Sequence, residues 1–453
     1  MWDHPERDRH FVGEFNVGEK NINGEIIYNQ SNGVILLNLK HIVQGIGEHS
    51  SSPNYLTGKL NSGEYITLCN NRCVKNHTQN FRFQQLQFLS DYMIYAHKTA
   101  VGCKFNKLVC VVENGLSWSG LTRFDTTDLK SITMKGLEHN HTYNWYGSKI
   151  NFSTCVKNGL LSFPKEEVCK IEERLSFEIE SHEKQSIEYF LQIRDNILSL
   201  ISFAIKDNLN IEEQYLYDFD DNYLISEEIT DYYKYHLITN EPIYRLNKNH
   251  IHDYNFFLKN ISEDDDFSNT LEKLKPIFNL YLSLFKYSDM PIEMVFLNIV
   301  QALETFHSRF FYDNKKTKYV KSVEDRFSSS ANYEDIKKLL LSETQMDENC
   351  GYIILLSRLN DMLIGDYDGL FHEFYATDPN YAQTIADTRH YYTHYGSSKE
   401  AKALKNEKLK DAIYILTLLL EYNVCKVLGI DIKTKTASYI ERYFFSKNRD
   451  KQQ

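Results

Sequence analysis

Ala386-Asp387-Thr388-Arg389-His390-Tyr391-Tyr392-Thr393-His394-Tyr395 sets a guanidinium, two imidazoles and three phenols in seven consecutive positions, 389–395. No other stretch of the chain has that density of groups able to do chemistry. Read as a helix, it belongs to a helical C-terminal half. Leu271, Leu274, Ile277, Leu280, Leu282 and Leu284 form a first apolar helix. Pro291 then stands where a helix start favours proline. Val295, Leu297, Ile299, Val300, Leu303 and Phe306 carry the next helix across 294–311. Shorter helices are expected over 334–345 and 350–363, and the quoted stretch forms one over 381–395. The longest and most apolar helix spans 405–428 and ends at Gly429. Residues 267–448 therefore read as a helical bundle of about five or six elements.

The chain before it reads as β. Gly24-Glu25-Ile26-Ile27-Tyr28, then Asn32-Gly33, then Val34 to Leu39 is a hairpin signal. Further short β-rich runs follow at Tyr65 to Cys69, Phe81 to Phe83, Tyr92 to Ala96, Lys107 to Val112 and Lys149 to Phe152, with Gly, Asn and Ser between them. That spacing is of a sandwich or barrel-like sheet. The character changes from Leu175, and Ile187, Phe190, Leu191, Ile197, Leu198, Ile201 and Ile205 recur at helical spacing, predicting a long helix near 183–207. Arg194 falls on the same stripe and interrupts it. Residues 210–258 are mixed and are grouped with the N-terminal part, and the acidic run 261–266 is the linker. The fold class is α+β: a β-rich, sandwich-like domain over 1–260, then an all-α bundle over 267–448.

Composition excludes several classes. Across 453 residues, 42% are hydrophobic and 25% charged, the balance of a globular protein. No apolar run is long enough to span a bilayer, and the charged start at Met1 to Arg9 lacks the apolar core of a signal peptide. The expected location is the cytoplasm, where the eight cysteines read as reduced thiols. A net charge of −11 argues against indiscriminate nucleic-acid binding and leaves room for a local basic site.

The chemistry of the opening stretch follows from helical geometry. His390 and His394 lie four apart, one turn above the other on one face. Arg389 and His394 lie five apart, ~140° around the helix, so one copy does not converge them. Two such helices about a two-fold axis present both residues of both chains to one groove. RNA transesterification needs a base for the 2′-hydroxyl proton and a cation for the charge building on phosphorus. His serves the first need and Arg the second. That chemistry calls for no metal or cofactor. Tyr391, Tyr392 and Tyr395 suit stacking on unpaired bases. The bare spacing is common: Arg72/His77 and Arg245/His250 repeat it without a clear helix or a run of aromatics.

The surroundings say more. Arg389-His390-Tyr391-Tyr392-Thr393-His394 resembles the motif of HEPN-domain ribonucleases, an Arg followed by Asn, Asp or His, three residues, then His. Its flanks, and the upstream helix Pro291 to Arg309 with Glu304, resemble the ApeA-like branch of that superfamily. Phe11-Val12-Gly13-Glu14-Phe15 with Gly24 to Tyr28 is similar to that branch's N-terminal domain. His390 departs from the branch, where Asn is commoner. The resemblance implies an all-α nuclease domain that forms a homodimer or higher oligomer through its motif helices and cuts RNA without metal. It also implies anti-phage defence by abortive infection; a phage-derived trigger is expected at the N-terminal domain, and no membrane partner is expected. The catalytic expectation is Arg389, His394 and His390, with Glu304, Tyr391, Tyr392 and Asp387 in support. Glu304 orients Arg389 or His394, or else makes a structural salt bridge or lies on a solvated face, and Asp387 caps the helix, lies on the surface or pairs with Arg389. His307 is structural.

Weaker patterns fall away. Cys69, Cys73, His77 and Cys103 lack the spacing of a zinc site and read as thiols of the β domain. His139-Asn140-His141 reads as a polar loop, and the lysines at 315–318 and from Lys399 to Lys410 read as solvated faces. No phosphate-cradling glycine loop is present. The competing reading is a non-catalytic interaction protein in which the bundle only dimerises. A desolvated Arg beside two imidazoles argues against it.

Overall fold

The computed structural model describes residues 9–18, 20–29, 32–42, 52–79, 83–113, 115–119, 124–125, 133–134, 141–157, 172–219, 234–240, 261, 266–287, 289–310 and 380–450. The expected helices at 334–345 and 350–363, the basic run at 315–318, most of the acidic linker, Arg245 and His250 lie outside them. The chain divides into two compact units, Met1–Ile201 with Asp207–Leu258, and Ser202–Lys206 with Lys259–Gln453.

Among the described residues the first unit is organised by a sheet of fourteen strands, every neighbouring pair antiparallel. Alternation drives it. Lys234–Thr239 buries every second side chain, Tyr235, Leu237 and Thr239, as a strand with one covered face must. The expected hairpin joins Lys20–Asn29 to Val34–Ile42, with Asn29 opposite Val34 and Gly33 at φ +70° in the turn. Gly24 sits opposite Gly13 on the neighbouring strand. A Cβ there would stand 2.9 Å from the Asn38 carbonyl oxygen and meet the Leu39 side chain. Phe15, Ile26, Leu37, Ile66, Leu68 and Met93 meet in one core. The rings of Phe11 and Tyr95 come within 5.7 Å although two strands separate theirs in the sheet order. A flat sheet would hold them some 14 Å apart at about 4.8 Å per strand. The sheet therefore curls over, which gives the sandwich-like character.

Two readings change. The segment from Leu175 is not yet helical: Glu172–Gln185 is the longest described strand, with Leu175, Phe177 and Ile179 all buried at period two. Helix α1, Ile187–Ile205, starts after it, so 183–185 belong to the sheet. Arg194 does not weaken the stripe. It is 2% exposed, with its guanidinium held by Asp195 at 2.6 Å and Gln214 at 2.7 Å, so burial leaves its donors bonded.

The second unit is helical: α2, Phe267–Lys286; α3, Ile292–Phe310; α4, Tyr381–His394; α5, Asn406–Val427; and α6, Lys433–Asp450. Helix α3 packs against α2, α4 and α5 through Phe296, Ile299, Val300, Leu303 and Phe306, all buried. The Pro291 carbonyl accepts the first amide bonds of α3, the place where a missing N–H does no harm. Helix α5 ends as its sequence requires. Gly429 takes φ +79°, its N–H bonds Lys426 O, and Ile430 N–H bonds Cys425 O, a glycine-terminated helix end. The final turn of α1 belongs here too. Phe203 meets the rings of Phe278 and Tyr281 at 5.2 Å each. Lys206 pairs with buried Glu421 at 2.5 Å, whose other oxygen accepts from the Tyr281 hydroxyl at 2.7 Å.

Candidate functional site

Helix α4 carries the motif and is fixed along one face. Ala382, Ile385, Ala386, Thr388 and Tyr392 are buried, which leaves the faces bearing Arg389 and His394 for other work. A strap, residues 396–405, runs back along the helix. The Asp387 carboxylate, 3% exposed, is ion-paired with Lys399. Thr388 Oγ1 accepts the Leu404 N–H at 3.0 Å, and the Tyr392 hydroxyl donates to Leu404 O at 2.9 Å. Lys405 Nζ stands 5.6 Å over the Tyr391 ring. Asp387 is thus neither at the surface nor a helix cap: burial and a lysine twelve residues on make it an anchor. Tyr392 is likewise an anchor. Its ring packs edge-on against Phe296, and burial raises its pKa, with Glu293 and the neighbouring tyrosines adding to the effect. Tyr391 is half-buried and Tyr395 exposed. Tyr395 ends α4 in the left-handed region at φ +50°, turning the chain into the strap.

The reactive groups divide as the angles require. His390 and His394 stack one turn apart, ring centroids 4.8 Å apart and planes tilted by 50°. His394 is exposed, at the last position of the helix. Arg389 points the other way, toward α3, its guanidinium 3.9 Å from the Glu304 carboxylate. It lines a groove of about 660 Å³ whose opposite wall is α3; His394 stands apart from that lining. Arg389 and His394 are therefore not brought together within one chain, whereas Glu304 and Arg389 are. His307, one turn further along α3, is buried.

The groove also contains residues that the sequence reading passed over. Asn298, Gln301, Thr305 and Ser308 line it together with Arg309. They recur at steps of three and four along α3, a polar stripe legible in the sequence once Glu304 is placed on it. Elsewhere, Cys69 is buried and its thiol is pushed up to about 12 by burial. Cys73 Sγ bonds Lys75 O and Cys103 Sγ bonds Thr99 O. Among the described residues no three His, Cys, Asp or Glu side chains form a metal-holding group, and no helix is long and apolar enough to cross a membrane.

Comparison with known families gives two matches. Residues 10–274 match the family model described as ApeA N-terminal domain 1, and residues 297–434, covering most of α3 and all of α4 and α5, match Apea-like HEPN. No curated protein and no solved structure matches the chain. With its N-terminal sheet unit and its motif helix falling in these two matched regions, the chain belongs to the ApeA-like family of proteins that carry a HEPN domain.

Proposed function

We propose that this protein is an endoribonuclease of the HEPN type, active as a homodimer and acting in the bacterial cytoplasm against phage by abortive infection. The observation that carries the reading is the divergence on α4. Arg389 faces the groove beside Glu304, while His394 is exposed beside His390 on another side. One chain presents half of a site, and a two-fold partner supplies the other half. In the composite groove His394 takes the 2′-hydroxyl proton or protonates the leaving 5′-oxygen. Arg389 grips the phosphate oxygens as charge builds on them. Glu304 orients the guanidinium, and His390, one turn below His394, orients the phosphate or the partner imidazole. This chemistry needs no metal. The family match supports the defence role, with the N-terminal unit receiving the trigger.

The test is RNA decay by wild type, Arg389→Ala and His394→Ala, with EDTA present and dimers verified by light scattering. Decay by wild type alone is expected. Equal behaviour of all three would leave a dimerisation protein, and cleavage abolished by EDTA would sink the metal-free mechanism. Because an untriggered enzyme can be idle, the same variants are scored for growth arrest during phage challenge.

A further inference from the structure

Helix α3 turns a single stripe toward Arg389. Along the groove from its N-terminal end come Asn298, Gln301, Glu304 facing Arg389, and then Arg309. The volume, about 660 Å³, is within the range of small-ligand sites. Its make-up is mixed in a way that suits a nucleotide. Met294, Leu297 and the Tyr392 ring give it apolar surface. Two arginines and one glutamate give it an excess of positive charge. The amides lie to one side of Arg389, and Arg309 lies about 7.5 Å beyond Glu304 along the axis at 1.5 Å per residue.

The amide of Asn298 is already oriented. Its Nδ2 donates to Ser283 Oγ at 2.9 Å and to Met290 Sδ at 3.6 Å. Its donors are thereby committed, and what it can offer a ligand is the carbonyl oxygen. Gln301, one turn on and exposed, carries both a donor and an acceptor. A fixed acceptor beside a donor–acceptor pair matches a base that presents an exocyclic amino group next to a ring nitrogen. Among RNA bases, adenine, cytosine and guanine carry such an amino group and uracil does not.

We infer that this groove is a base-reading subsite, in which Asn298 and Gln301 recognise an amino-bearing base, as against uracil, whose phosphate rests on Arg389, while Arg309 takes the neighbouring phosphate. The inference rests on the ribonuclease reading and adds to it a sequence preference set by α3. Glu304 separates the two halves of the groove and keeps Arg389 aimed along it.

The experiment uses the full chain and 2′-O-methyl octamers of uridine with a single central A, C or G. These resist transesterification, so binding is read whether or not the protein cuts RNA. Fluorescence anisotropy should show the A-, C- and G-bearing octamers bound about tenfold more tightly than all-U, within what a good amide–base pair discriminates. Gln301→Ala, at an exposed position that leaves the fold intact, should bring them within about twofold of all-U. Asn298→Ala should do the same, with circular dichroism confirming its helix content. Equal binding of all four octamers, no binding, or a preference that survives in both variants overturns the subsite. Preferential binding by a wild type that leaves natural RNA intact and arrests growth during phage challenge no more than Arg389→Ala and His394→Ala keeps the subsite and overturns the nuclease reading instead.

Discussion

Replacing Lys399 with Met tests how the motif helix is held. Its partner Asp387 has a side chain only 4% exposed, whereas the lysine side chain is 25% exposed. Removing one member of a buried pair costs about 3–5 kcal/mol, because the remaining charge is left desolvated. The lysine end is partly wet, so water can follow into its place and the cost falls below that scale, to about 2–3 kcal/mol. The strap keeps its two bonds at Leu404, to Thr388 and Tyr392, so the loss is confined to the charge. For a helical unit of this size, about 2–4 °C is lost per kcal/mol. Calorimetry should therefore show the transition of this unit falling by about 5–10 °C. Asp387→Asn combined with Lys399→Met removes both charges and should recover most of that. The coupling between the sites should be about 2 kcal/mol in a double-mutant cycle. A shift below 2 °C for the single variant, or a double variant as unstable as the sum of its parts, would show that the pair is not what anchors the helix.

Mixed subunits test the composite site. Co-refolded Arg389→Ala and His394→Ala chains should regain RNA decay to about a quarter of wild type, since half of the dimers are mixed and each keeps one intact Arg–His pair; no recovery would place both groups of a site in one chain. Thiol accessibility tests the β unit and α5. The Cys69 thiolate forms only near pH 12 because burial penalises the charged form, and Cys425, fully enclosed, is raised further still. At pH 8 iodoacetamide should label the half-buried Cys73 and Cys103 and spare Cys69 and Cys425 in the native protein, as read by peptide mass spectrometry; labelling of Cys425 at the surface rate would contradict its burial.

Local periodicity made α3, α4 and α5 legible, because each buries a stripe at helical spacing, and Pro291 and Gly429 punctuate the chain where backbone bonding begins and ends. It also predicted the divergence of Arg389 from His394, which depends only on residue angle. Glu172–Gln185 was lost because its apolar alternation runs into the helical stripe that begins at Ile187, with no glycine or proline between them. Arg194 looked like a flaw because Gln214, its buried partner, is twenty residues away. The Asp387–Lys399 pair was invisible for a related reason. It joins residues across the turn at Tyr395, and a left-handed tyrosine is not a signal that propensity supplies. The base-facing stripe on α3 was missed because polar residues on a helix read as a solvated face until a second helix lies opposite.

The last turn of α1 bears on how this protein can be taken apart. A fragment beginning at Phe267 has every helix of the bundle, yet it lacks Phe203 and Lys206. Losing the phenylalanine leaves a hole beside Phe278 and Tyr281 worth about 3–5 kcal/mol. Losing the lysine strands the Glu421 carboxylate inside the bundle at a similar cost. Together these rival the whole stability of an ordinary domain. An inactive fragment of this kind would thus report a broken core, and only pieces that retain residues 202–206 can show what the HEPN domain does by itself.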